Sequence, residues 1–156
     1  MDSIDKVIWV LPFLAILDVI STLYVANLGY SLELHEIGVF ARFFVSVGLV
    51  YFYIPFYLLI ICALAYVLWY IKNRRLNPTS LIDKGIFLFL VGGACYVYMR
   101  LTEAFIGNFL LPYFIAGEIS RFSVVLLIYL STAFTLTLYL WKDVVKWVKA
   151  NGSEKR

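Results

Sequence analysis

Four charged side chains stand in stretches that are otherwise apolar. Asp18 interrupts the run from Leu14 to Tyr24, Arg42 is the one charge between Ile37 and Ile71, and Arg100 and Glu103 share a face of a third run. An aspartate at the centre of a bilayer helix costs about 2.5–3.5 kcal/mol on insertion scales. Its side chain is too short to reach an interface, so Asp18 must be protonated, paired or hydrated. Thr22 follows one turn later on the same helical face, between Ala15 and Ala26. Small residues there let a neighbouring helix come close.

Two acids and two bases balance. They can pair between helices, as Asp18–Arg100 and Arg42–Glu103, or Arg100 can pair with Glu103 inside its own helix and leave Asp18 protonated. Counted from Val7 and Gly85 by the helical rise, Asp18 lies about 16 Å and Arg100 about 22 Å from the same edge, which puts all four charges in one layer towards the outer side. Such a layer serves either as scaffold or as a polar pocket. In the second case Asp18, Thr22, Arg42, Arg100 and Glu103 bind a small polar ligand, a lipid headgroup or an ion.

A second group is Glu33-x-His35-Glu36, which holds the one histidine of the chain. Two carboxylates and an imidazole are metal ligands of the oxygen-and-nitrogen type, so Glu33, His35 and Glu36 are the metal-site expectation, with a metal-assisted membrane hydrolase as the chemistry. The HExxH pattern is absent. The plainer reading is a solvated loop whose acids sit at a helix N-terminus, where the dipole favours them. A nucleophile would need a base beside it, and nothing aims His35 at a hydroxyl. With one histidine and no glycine-rich phosphate loop, no haem, nucleotide or flavin is expected.

The run Asp18-x3-Thr22-x6-Gly29-x3-Glu33-x-His35-Glu36 resembles the core motif of an uncharacterised prokaryotic, largely archaeal, family of small multispanning membrane proteins. There an Asp and a Thr one turn apart precede a Gly, a Glu and usually an Asn-Pro pair. Asp18, Thr22, Gly29 and Glu33 match at the right spacing, and His35-Glu36 stands where Asn-Pro is usual. The resemblance covers the first third of the chain. It implies that Asp18, Thr22 and Glu33 form one unit, and it brings no activity, because the family is defined by sequence.

The elements that hold these residues follow from apolar length. The 156-residue chain is 63% hydrophobic and 15% charged, against about 45–50% and 25% in soluble domains. Continuous apolar runs rather than alternating segments point to helices, not a barrel. The expected fold is all-α: one polytopic domain over 1–156, a four-helix transmembrane bundle with helices near 7–28, 37–71, 82–107 and 119–141. A basic amphipathic tail, 142–150, is expected to lie on anionic lipid. The second helix would be roughly 50 Å long, beyond a hydrocarbon core of about 30 Å. It must therefore kink or break, with Gly48 and Pro55 as bending points and 37–47 as a short outer piece. The segment 108–117, with Pro112, reads as a connector.

Lys6, Lys72, Arg74, Arg75, Lys84, Lys142, Lys146, Lys149, Lys155 and Arg156 fall on one side of four crossings, as do all four tryptophans, and only Arg42, Arg100 and Arg121 fall elsewhere. The positive-inside rule puts that side, with both termini, in the cytoplasm of a plasma-membrane protein. Met1–Lys6 lacks the basic region of a signal peptide, so the first helix is expected to persist. Cys62 and Cys95 read as buried small hydrophobes, with a disulfide between them the alternative. Membrane lipid is the expected partner and nucleic acid is not. The aromatic content of 19% also suits an accessory subunit that covers a partner in a larger membrane complex.

Overall fold

The structure, a computed structural model, describes residues 2–30, 43–44 and 46–150. Its architecture is an all-α bundle of four helices, each long and apolar enough to cross a membrane. Helix α1 is Ser3–Asn27 and α2 is Val50–Tyr70, which runs on into one π-helical turn at Ile71–Arg75. Helix α3 is Leu81–Ile115 and α4 is Arg121–Lys149.

Local chemistry sets the boundaries. Asp2 caps α1 by accepting the Asp5 N–H at 2.9 Å. Ser80 and Ser120 do the same for α3 and α4, accepting from Asp83 and Ser123. Glycines in the left-handed region, Gly29 at φ 85°, Gly48 at φ 72° and Gly117 at φ 72°, end the segments that precede them. Gly48 breaks the long second apolar stretch as its length required: Phe43, Phe44 and Ser46 are helical before it and α2 starts after it. Most of the expected outer piece, like Glu33, His35, Glu36 and Arg42, lies outside the described residues.

Three expectations change. Helix α1 begins a turn earlier than residue 7, because Asp2 supplies the cap. Helix α3 does not stop at 107; it passes through Pro112 to Ile115. A proline costs a helix one N–H and the bond to the carbonyl four residues back, and membrane bundles tolerate that loss where neighbours supply partners. The tail 142–150 is no separate surface helix. Helix α4 is continuous to Lys149, and Trp147 stacks on Phe87 of α3 with ring centroids 3.9 Å apart and planes at 12°. Half-buried Trp147 and Val148 pack on the core, so the last turns belong to the bundle.

Helix α1 is the hub, packed against α3, α2 and, more lightly, α4. Its buried Ile4, Val7, Ile8, Leu11 and Ala15 follow the three-and-four spacing of one helical face. Ala15, Ala65 and Ala94, at 0–1% exposure, mark where helices come closest. Cys62 is exposed and Cys95 partly so, and both are free thiols.

At the end of the bundle that carries the N-terminus, a polar knot ties three helices. Lys72 Nζ donates to Asp2 at 2.7 and 2.8 Å and to Asp5 Oδ1 at 2.7 Å. Asn73 adds a bond to Asp5 at 3.0 Å, and Asp143 of α4 accepts the Ser3 N–H at 2.7 Å. Trp9 and Trp69 lie against each other nearby, 6.2 Å between centroids. Lys72, expected in a basic turn, is therefore a buried structural cation.

Candidate functional site

Two further groups of polar side chains lie at different heights. In the upper group α1 supplies Asp18, Ser21 and Thr22, α2 supplies Tyr57 and α3 supplies Asn108. Tyr57 donates its hydroxyl to Asp18 Oδ2 at 2.9 Å. Asn108 Nδ2 lies 2.9 Å from Ser21 Oγ, 3.0 Å from Thr22 Oγ1 and 3.4 Å from Asp18 Oδ1. The Ser21 hydroxyl donates to the Asp18 backbone carbonyl at 2.8 Å. Ser21 is fully buried, whereas Asp18, Thr22, Tyr57 and Asn108 are each partly exposed. Tyr53 stacks on Tyr57 at 5.6 Å and forms part of the wall.

The second group joins α3 to α4. Arg100 Nη1 donates to Glu103 Oε2 at 2.6 Å and to Tyr129 Oη at 3.1 Å. Glu103 is buried, and its other oxygen lies near Gly107. Of the two pairings open from the sequence, Arg100 thus takes the one inside its own helix, and in place of the expected Asp18–Arg100 bridge the Asp18 carboxylate has Tyr57 and Asn108 among its partners.

Depth explains the correction. Asn108 is level with Asp18, and Arg100 precedes it by eight residues, about 12 Å nearer the basic end. Counting α3 from Gly85 assumed that Gly85 is level with Val7. However, Asp143 meets Ser3, Trp147 lies one turn beyond Asp143, and Phe87 stacks on Trp147. The first turns of α3 therefore project past the start of α1, and Arg100 sits lower than Asp18. The single layer is two layers.

Asp18 and Thr22 stay together as their spacing required. Arg100 and Glu103 stay together but apart from Asp18. Arg42 and the Glu33, His35, Glu36 group lie outside the described residues. Ser131, Thr135 and Thr137 of α4 spend their hydroxyls on carbonyls of their own helix and join neither group. Sequence reasoning missed Ser21, Tyr57 and Asn108. The signal for Asn108 was present, an amide flanked by Phe105-Ile106 and Phe109-Leu110, but Pro112 directed attention to a connector.

These elements define a class: an all-α bundle of span-length apolar helices with a carboxylate, amide and hydroxyl site inside its upper half. No family model matches the chain, and neither a curated protein nor a solved structure does.

Proposed function

We propose that the protein is a non-enzymatic integral membrane protein whose upper polar group binds a small polar ligand, lipid headgroup or ion, as a binding protein or small transporter. The observation that carries this reading is the convergence of three helices on Asp18. Five side chains that could each have been apolar are brought to one point, and four of them are partly exposed. Burying polar groups that serve only packing is a cost an apolar core avoids. In the orientation set by the basic residues, this point lies in the outer half of the membrane and both termini are cytoplasmic. The archaeal-type motif supports treating Asp18 and Thr22 as one unit with Glu33.

The test is ligand response in purified protein. Thermal unfolding in mild detergent across polar solutes, headgroup analogues and salts should show at least one that stabilises the wild type. Asp18→Asn and Thr22→Val should lose that response. A folded Asp18→Asn protein that responds to every solute as the wild type does would defeat the reading.

One feature favours a second reading, an accessory subunit of a larger complex. Arg100, with a side chain 41% exposed, lies midway along a span-length helix. A guanidinium at that height is costly against lipid, and a partner chain would cover it together with Tyr96 and Phe89, which are exposed on the same side. A subunit would co-purify with other chains and be unstable alone; a pocket protein would be a stable monomer or homo-oligomer. Metal-assisted hydrolysis through Glu33, His35 and Glu36 is the third reading, and stoichiometric bound metal at neutral pH is its requirement.

A further inference from the structure

We infer that the groove between α3 and α4 holds one acyl chain of an anionic phospholipid, with the lipid phosphate at Lys84. The site is separate from the Asp18 group and does not depend on it. Two contacts tie these helices together. Phe87 stacks on Trp147 near the end that carries the N-terminus, and Arg100 bonds Tyr129 further along. Between the ties the helices leave a groove of about 240 Å³, which runs from Val91 to Met99 on α3 and from Val144 to Ala133 on α4. Two of the side chains that face it, Cys95 and Ala133, are small.

The shape of the groove decides the occupant. The stretch of α4 from 133 to 144 rises about 16 Å, so 240 Å³ corresponds to a cross-section of about 15 Å². An α-helix with its side chains is about 10–12 Å across and does not enter; a partner helix or a second copy would lie over the mouth and leave the groove empty. A single file of methylenes does enter, and it runs along the helices as acyl chains run in a bilayer. The walls suit it, because the one hydroxyl there, on Thr137, is spent on the Ala133 carbonyl at 2.8 Å. The two ties keep the gap from closing, and an unfilled gap forfeits the dispersion contacts of its lining.

The headgroup follows from charge. Lys84, Leu88, Val91 and Cys95 are spaced by four, three and four, so they share one face of α3. Lys84 lies about 10 Å before Val91 along the helix, at the mouth of the groove. Its ammonium forms no ion pair or side-chain hydrogen bond among the described residues. Lys142, Lys146 and Lys149 fall on the far side of α4 from Val144 and Leu140, so they attract lipid elsewhere. One unpaired cation above one apolar channel matches one phosphate above one chain, and it favours a headgroup with net negative charge over a zwitterionic one.

The experiment is native mass spectrometry of the full-length protein released from mild detergent that holds equal amounts of phosphatidylglycerol and phosphatidylcholine. The wild type should retain one lipid, with phosphatidylglycerol preferred about fivefold, the size expected for one basic side chain near the surface. Lys84→Gln should retain a lipid and lose the preference. Thr137 is exposed and outside the core, so Thr137→Phe should fold; its ring fills the groove and should lower retained lipid about tenfold. Labelling of Cys95 by N-ethylmaleimide in a Cys62→Ser background gives a second readout, which added phosphatidylglycerol should slow. Equal lipid retention by wild type and Thr137→Phe overturns the inference, as does an unchanged preference in Lys84→Gln. A dimer or mixed complex that Thr137→Phe dissociates also overturns it, since a protein chain would then cover the groove.

Discussion

Lys72→Met should destabilise the bundle by about 3–5 kcal/mol, the range for removing one partner of a buried ion pair, and the protein should fail to accumulate in folded form. The Lys72 side chain is 4% exposed and that of Asp5 8% exposed, so methionine fills the space but leaves the Asp5 carboxylate without its cation. The effect is large because of where the knot lies. Helix α2 packs on α1 and on little else among the described helices, and Lys72 fastens the end of α2 to the start of α1. Asp2→Asn is the internal comparison. The Asp2 side chain is 39% exposed, and a pair open to water contributes about 0–1 kcal/mol. Size-exclusion profiles and apparent Tm values of the two variants separate these cases. Wild-type yield and Tm for Lys72→Met would show that the knot carries no stability.

The second large effect is at Glu103. Replacing it with leucine strips the Arg100 guanidinium of its carboxylate midway along α3, where an uncompensated arginine costs about 2.5–3.5 kcal/mol on insertion scales. Tyr129 remains as one neutral acceptor at 3.1 Å and does not replace a charge. Adding Arg100→Met to Glu103→Leu removes the stranded cation, and the double variant should recover most of the loss, because apolar replacement of both partners of an ion pair held out of water is often neutral or better. Unfolding midpoints of the two single variants and the double give the coupling directly. Additive losses would mean that the pair is not a unit.

Much of the fold can be read without coordinates, since apolar length alone dictates four helices and the excess length of the second run dictates a break, which Gly48 provides. Helix ends are less legible. Pro112 suggests a boundary that the bundle overrides, and the basic composition of 142–149 hides the apolar side formed by Trp147 and Val148. The site is legible in part, for a physical reason. Asp18 and Thr22 belong to one helix, and their shared face follows from local geometry. Their partners depend on how far α3 slides along α1, and no local rule fixes that offset; an error of two helical turns replaced Asn108 with Arg100. Tyr57 was hidden among twelve tyrosines, because a phenol that packs as a hydrophobe and one that donates to a carboxylate look alike in a sequence.

That offset is the claim on which everything else rests, and cysteine cross-linking measures it directly. In a background lacking Cys62 and Cys95, Thr22→Cys with Asn108→Cys should form a disulfide on mild oxidation in membranes, whereas Asp18→Cys with Arg100→Cys should not. Cross-linking of the 18/100 pair with none at 22/108 would contradict the account, since α3 would then lie two turns away from the register that builds the site.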